Sequence, residues 1–285
     1  MLALGSALAH LLRLDTVTKV EIPGMGVLGF ELHSKPDIWI SDPIRRGEIF
    51  DSHVLRALRK LIQPGDSLLD IGANIGWFSV IGSRLVGSTG QVWAVEPEPC
   101  NVGILRRNLR RNKCANVEVL PIAAGAMAER ASLLLSSDNQ GDHRLSTIAG
   151  DGASILVPVR PLDEVIRDRH VDIVKIDTQG SEVSALRGMQ QIFKKNPKIR
   201  FIMEFWPYGL AQCGTSTEEL LAALSWRDNF FWLISPDGAI KPLESEDVLN
   251  LSMTSLAPST QAHADLIVIS ADDDEALLAV RELAS

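Results

Sequence analysis

The sequence predicts an α/β protein built on an open, doubly wound, mostly parallel sheet with helices on both faces. Three observations predict it. From Ser67 onward, short strands that are apolar throughout alternate with helical stretches. Strands of that kind lie in parallel sheets covered on both sides. The first strand runs into a glycine turn, "LLDIGANIGWFS" (68–79). Several strands also end in an acid, and in such sheets ligands bind outside the carboxyl ends of the strands.

The elements follow in order. "SLLDIG" (67–72) is a strand, "GWFSVIGSRLV" (76–86) a helix, "QVWAVE" (91–96) a strand and "CNVGILRRNLRRN" (100–112) a helix. "VEVLPIA" (117–123) and "VDIVKID" (171–177) are strands, followed by one helix over about 181–195 and the strand "IRFIMEF" (199–205). A helix near 216–226 and strands in "FFWLIS" (230–235) and "DLIVIS" (265–270) complete the series. Residues 1–60 read as an accessory cap on a main domain of residues 61–285. "KVEIPGMGVLGFELH" forms two strands around a Pro/Gly turn, and "GEIFDSHVLRALRKLI" a helix with Phe50, Val54, Leu58 and Leu61 on one face. The connection from about 124 to 162 is long for a βα loop and is read as an insertion. Within it, "ASLLLSS" and "ASILVPV" pair as a β-ribbon around "DNQGDHRLS".

Composition narrows the partners. The formal charge is 28 − 36 = −8, which does not favour a long polyanion such as nucleic acid. The basic run "LRRNLRRNK" (105–113) reads as the solvated side of one helix. Cys100, Cys114 and Cys213 form no CxxC pair and are odd in number, so the expected setting is reducing and cytoplasmic. The apolar start "MLALGSALAHLLRLD" lacks a basic n-region and is interrupted by His10, so it is not read as an export signal. No run of about 18 apolar residues suggests a membrane span.

The strand-end acids are Asp70, Glu96, Asp177 and Glu204. Gathered at one edge, they make a cleft suited to a cation or to hydroxyl groups. Gly72 and Gly76 permit a tight turn and close approach to a ligand, and the helix beginning there offers N–H groups to a carboxylate. Glu96 lies 24 residues beyond Gly72, where an acid takes ribose hydroxyls. The turn reads D-x-G-x-N-x-G, with Asn74 where a dinucleotide site has glycine. That departs from a pyrophosphate cradle and suits S-adenosylmethionine (SAM).

These residues resemble a known group. "LLDIGANIGWFS" is similar to the first motif of class I SAM-dependent methyltransferases, and more narrowly of the FkbM family. "VWAVEPEPCNVGILRRNLRRN" resembles the second motif, with its Glu96–Pro97 pair. "VDIVKIDTQGSEVSALRGM" resembles the distinctive block K-I-D-x-E-G-x-E, except that Gln179 stands where many members have glutamate. "IMEFWPYGL" and "DNQGDHRL" also look like family segments, and the likeness runs over about residues 60–235. It implies a Rossmann-like, seven-stranded sheet with an antiparallel last pair. It implies SAM as cofactor, with Asp70, Gly72, Asn74, Gly76 and Glu96 at the donor site. It also implies methyl transfer, usually to a hydroxyl of a sugar or secondary metabolite.

Methyl transfer needs positioning more than activation, because the sulfonium is already reactive. An alcohol must also lose its proton, which calls for a base. Asp177 is the leading candidate. Lys175, two residues earlier and on the same face, needs a partner among Asp177, Asp70 and Glu204; it serves either the chemistry or a structural ion pair. His143 is the alternative base or a surface-loop histidine. Asp142 is assigned to the adenine amino group. Asn139, Gln179, Glu204 and Trp206 are assigned to the acceptor, although Trp206 and Tyr208 read equally as core followed by a turn. Asp142, His143 and Asp177 lack the spacing of a metal motif, so no metal is expected. Two competing classes are an NAD-dependent oxidoreductase, against which the turn counts, and a non-catalytic nucleoside-binding module.

Overall fold

The chain opens in an antiparallel hairpin, β1 (Val17–Ile22) and β2 (Gly26–Glu31). Alternate residues Val20, Ile22, Leu28 and Phe30 point inward, as a half-covered strand requires. Two helices follow, α1 (Ser41–Arg45) and α2 (Ser52–Leu61), the latter burying Val54, Leu55, Ala57, Leu58 and Leu61. Phe50 precedes α2 rather than joining its face, and packs against the rings of Trp77 and Phe78 at 6.4 and 6.2 Å. The computed structural model describes residues 17–34, 37–136, 139–146, 153–225, 227–235 and 237–284. The apolar start (1–15) and parts of the "DNQGDHRLS" loop and its approach to "ASILVPV" lie outside the described residues.

The alternation predicted from the sequence comes next: β3 (Ser67–Ile71), α3 (Trp77–Val86), β4 (Gln91–Val95), α4 (Pro99–Arg111) and β5 (Val117–Leu120). The insertion forms β6 (Ala123–Ala124), β7 (Glu129–Leu134), β8 (Arg144–Ser146) and β9 (Ser154–Arg160). The predicted ribbon is the antiparallel pair β7–β9, enlarged to four strands in the order β6-β9-β7-β8. After α5 (Leu162–Ile166) come β10 (Ile173–Ile176), α6 (Glu182–Arg187), α7 (Gln190–Lys195), β11 (Arg200–Phe205), α8 (Pro207–Gln212) and α9 (Thr217–Ala223). The single helix expected over 181–195 is thus two. They break at Gly188, where a Cβ would meet the Gly125 carbonyl oxygen at 2.2 Å, so the close backbone contact governs there. The chain ends with β12 (Asn229–Ile234), β13 (Ile240–Leu243), α10 (Ser245–Met253), β14 (Ala264–Ser270) and α11 (Asp274–Ala284).

The large sheet has the order β13-β12-β14-β11-β10-β3-β4-β5. The strands from β5 to β11 pair in parallel, and β14, β12 and β13 add antiparallel pairings. The expected seven strands and antiparallel end are present, and β13 adds an eighth at the edge. The winding reverses beside β3: β4 and β5 extend one way and β10 lies on the other edge. That switch point is where a doubly wound sheet opens a crevice.

Alternation along the strands feeds two cores. Leu68, Val92, Ala94, Ile173 and Ile202 face α2, α3, α4, α11 and the hairpin. Leu69, Ile71, Trp93, Val95, Val174, Ile176 and Phe201 face residues of α5, α6, α7 and α9. The hairpin therefore shares the core of the main sheet rather than having its own. No helix among the described residues is long and apolar enough to cross a membrane.

The basic helix α4 explains how the hairpin is held. Leu105 and Leu109 are buried, and Arg107 forms a two-pronged pair with Glu31 at 2.7 Å. Asn108, fully buried, accepts from the Glu31 N–H at 2.7 Å and donates to the carbonyls of Glu31 and Ile75 at 3.0 and 2.8 Å. One amide thus joins the hairpin to the glycine turn. Asn108→Ala leaves those buried backbone groups unmet. It should cost about 1–3 kcal/mol of stability in urea unfolding, whereas Arg110→Ala on the exposed side of the same helix should cost little.

Candidate functional site

The first βα turn is tight for an internal reason. Gly72 has φ +81°, and a Cβ there would stand 1.8 Å from the Asp177 carbonyl oxygen. At Gly76, φ is +87° and a Cβ would meet Leu105 Cδ1 at 2.4 Å. Both glycines were read as making room for a ligand. The close neighbours are the start of the next loop and the α4 core, so a side chain at either position disrupts packing first. The Gly72 and Ala73 N–H groups both donate to the Val95 carbonyl, which pins the turn to β4. Asn74 takes φ +49° and gives its N–H to Glu96 Oε2 at 2.8 Å and its side-chain amide to the Gln140 carbonyl at 2.9 Å. The Glu98 N–H donates to Glu96 Oε1 at 2.8 Å. Burial pushes the Glu96 carboxyl up to about 7, against the pull of these two N–H donors. Helix α3 begins at Gly76 with no side-chain cap, which leaves first-turn N–H groups for an anion.

On the other side of β3 stands a charged knot. Lys175 lies directly opposite Asp70 in the parallel ladder, and its Nζ donates to Asp177 Oδ2 at 3.1 Å. It also sits 5.1 Å from the centre of the Phe78 ring. Burial opposes the Lys175 charge, but Asp177 and Asp70 outweigh it and raise its pKa. Asp70 is fully buried; its Oδ2 accepts from Ser79 Oγ at 2.5 Å, and its Oδ1 has no hydrogen-bond partner. Burial raises its pKa, opposed by Lys175 and Ser79.

Gln179 gives the departure from the family pattern a physical sense. Its Nε2 donates to Asp177 Oδ1 at 2.7 Å and to Glu204 Oε2 at 2.9 Å. A glutamate in this position would face two carboxylates without a donor. Burial, with the charges of Asp177, Glu182 and Asp265, holds the Glu204 carboxyl well above the usual carboxylate range. Glu182, which the sequence did not single out, brackets the loop by accepting from the Thr178 N–H and hydroxyl and the Gly180 N–H.

The remaining expected residues come from the insertion and from the end of β11. Asp142 pairs with Arg144, whose Nη2 is 2.7 Å from Asp142 Oδ2, and it lines the cavity. Arg144 in turn lies 4.5 Å from the centre of the Trp206 ring, a cation–π stack. His143 Nδ1 accepts from the Ser136 N–H at 3.1 Å. The neutral ring then carries its proton on Nε2. Asn139 Oδ1 accepts from the Gly141 N–H at 2.9 Å, which shapes the turn of the loop. Trp206 is half-buried and donates Nε1–H to the Gln261 carbonyl at 3.1 Å, so it is neither core nor free rim.

All these elements border one cavity of about 870 Å³ at the switch point. Gly72, Asn74, Glu96, Asn139, Asp142, His143, Lys175, Asp177, Gln179, Glu204 and Trp206 line it. Asp70 and Gly76 stand behind that wall. The sequence reading missed Trp39, Phe50, Asp51, Phe78 and His263, which also line it. Among the described residues no cluster of His, Cys, Asp and Glu is arranged to hold a metal. SAM fits what is present. The volume suits a ligand of that size, and a buried acid stands where a ribose would need one. The α3 N-terminus would hold an amino-acid carboxylate and Glu96 would accept from the ribose hydroxyls. When bound, SAM supplies an activated methyl group.

Comparison with known proteins agrees. A family model described as "Methyltransferase FkbM domain" matches residues 70–229. Among curated proteins, one named "Probable cobalt-precorrin-6B C(15)-methyltransferase (decarboxylating)" from Saccharolobus solfataricus is 30% identical over 134 residues, 46% of this chain and 64% of that protein. The ribosomal protein L11 methyltransferase of Chloroflexus aurantiacus is 30% identical over 73 residues, 26% of this chain and 21% of its own length. The matches span less than two-thirds of these relatives. Among solved structures, a SAM-dependent O-methyltransferase from Thermotoga maritima aligns over 88% of this chain and 84% of its own, at 13% identity and TM-score 0.42. An rRNA methylase from Streptococcus thermophilus aligns over 81% and 98%, at 11% identity and TM-score 0.44. With more than half of the chain matched by the family model, the protein belongs to the FkbM methyltransferase family, and its cofactor is SAM.

Proposed function

We propose that the chain transfers the methyl group of SAM to a hydroxyl oxygen of a small molecule, a sugar or hydroxylated secondary metabolite, in the cytoplasm. One observation carries this reading. The half of the cavity beyond β3 is lined by the carboxyl groups of Asp51, Asp177 and Glu204, with Lys175 as their cation. Carboxylates accept from hydroxyl groups, and an ionised one beside the acceptor takes up the proton that an alcohol must lose. The cavity is concave and walled by Trp39, Phe50, Phe78 and Trp206, which favours a compact acceptor over a duplex nucleic acid. The free cysteines suit a reducing compartment. The family assignment leaves the dinucleotide reading without support.

The chain's own residues have distinct parts in this reading. Glu96 and the α3 N-terminus hold the two ends of the donor. Lys175 and Gln179 fix Asp177, and the aromatic wall excludes water from the reacting atoms.

Two measurements check this. Donor binding should depend on the Glu96 charge, because ribose hydroxyls donate to the carboxylate. With its carboxyl pushed up to about 7 by burial, Glu96 gains a proton as the pH falls below neutrality. Calorimetry should therefore show S-adenosylhomocysteine binding more weakly at pH 6 than at pH 8. Glu96→Ala should lose about 1.5–3 kcal/mol of affinity at pH 8 and most of the pH dependence; an unchanged affinity removes Glu96 from the donor site. For the reaction, methyl-labelled SAM should be incubated with a panel of sugars, glycosides and hydroxylated metabolites. Label should appear in methyl ethers that resist mild alkali. Label found instead on nitrogen, on carbon or in alkali-labile esters refutes hydroxyl methylation.

A further inference from the structure

A cavity group with an unengaged carboxylate or ring atom is the best-placed proton acceptor for the reaction. Most of the titratable groups there are committed. Asp177 accepts from Lys175 on one oxygen and from Gln179 on the other. Asp142 is paired with Arg144, and both Glu96 oxygens brace backbone N–H groups. Glu204 is driven toward its neutral form, and His143 already accepts on Nδ1. His263 stands exposed at the rim.

Asp51 is different. It occupies the N-terminal boundary of α2, where an aspartate ordinarily caps the helix. Its side chain makes no capping bond, and its backbone is left-handed, φ 44° and ψ 53°. That conformation is costly for a residue with a Cβ, although Asp and Asn bear it better than most. Among the described residues its carboxyl accepts no hydrogen bond, and it lines the cavity beside Phe50, Phe78, Lys175 and Asp177. An aspartate that gives up its cap and accepts strain to face a cavity is placed for a ligand.

We propose that Asp51 is the general base that takes the acceptor's hydroxyl proton, and that Asp177 is a positioning residue. This rests on the hydroxyl-directed reading above. As the acceptor oxygen forms its bond to the methyl carbon, the carbon–sulfur bond breaks with its electron pair going to sulfur. The hydroxyl proton passes to an Asp51 carboxylate oxygen. The products are a methyl ether, S-adenosylhomocysteine and the protonated acid, which releases its proton to solvent after turnover. The surroundings of Asp51 suit that task. Burial, then the charges of Asp265 and Asp177, push its carboxyl up to about 7, while His53 and Lys175 act in the opposite sense. His53 is itself held by Asp265 at 2.9 Å, so the nearby imidazole is engaged with another carboxylate.

The test uses the labelled-SAM panel together with a direct titration. Asp51→Asn keeps a residue tolerant of the left-handed backbone, and Asp51→Gly relieves the strain; both remove the base. Each should lower label transfer at pH 7 by about 10²-fold, with S-adenosylhomocysteine affinity near the wild-type value by calorimetry. In protein carrying carbon-13 in its aspartate carboxyls and saturated with S-adenosylhomocysteine, one resonance should titrate near neutrality and be missing from Asp51→Asn. Near-normal transfer in folded Asp51→Asn, or an Asp51 resonance titrating in the ordinary carboxylate range, overturns the assignment alone. A wild-type protein that binds S-adenosylhomocysteine but labels no hydroxyl overturns the reaction and the assignment together.

Discussion

A single ammonium group organises this structure. Lys175 stands inside a strand that is otherwise apolar, opposite Asp70 in the ladder with β3, and its ammonium pairs with Asp177 at the end of its own strand. A buried cation without partners is not tolerated, and a buried carboxylate is scarcely better. The three solve one another's problem only if β3 and β10 are neighbours in this register. The knot thereby fixes the switch point, and the crevice that receives the donor and acceptor follows from it. Ser79 holds Asp70 from α3, Gln179 holds Asp177 from the following loop, and Phe78 covers the ammonium.

The two halves of the cavity differ in how they treat charge. At the end of β4 the acid is braced by backbone: Glu96 accepts from the Asn74 and Glu98 N–H groups, which ties the glycine turn to the entry of α4. The hairpin reinforces that piece through Asn108. Beyond β3, the cavity's acids outnumber their cation, and side chains manage the excess. Gln179 bridges two of them, burial favours the neutral form of Glu204, and Asp51 is left without a donor. A site with one rigidly held half and one electrostatically loaded half suits a reaction in which a fixed donor meets an acceptor that must give up a proton.

Much of this was legible in the sequence because period and position carry it. Strands buried on both faces are apolar throughout, so an acid at the end of each one stands out. Asp70, Glu96, Asp177 and Glu204 stand out in this way; the last three line the cavity and Asp70 lies behind it. What escaped depends on contacts between distant segments. Gly72 and Gly76 looked like ligand glycines, but the Asp177 carbonyl and Leu105 stand against them, and neither contact can be read from a local motif. The helix over 181–195 breaks at Gly188, where the Gly125 carbonyl stands too close for any side chain. The Arg144 pairing of Asp142 was likewise not read from the sequence. Asp51 lies before β3, far in sequence from the motifs. Its one local sign was an aspartate just before a helix, which reads as an ordinary cap.

The central claim is that the Lys175 charge, paired with Asp177 and set opposite Asp70, favours the pairing of β3 and β10 in this register. Urea unfolding at pH 8 of Lys175→Met, compared with the double variant Lys175→Met/Asp70→Asn, tests it most directly. Removing one partner of a buried charge network costs about 3–5 kcal/mol, and neutralising the stranded charge relieves part of that cost. The account predicts a loss of that size in the single variant and a partial return of stability in the double. A single variant as stable as the wild type, or a double variant less stable than the single, would contradict it.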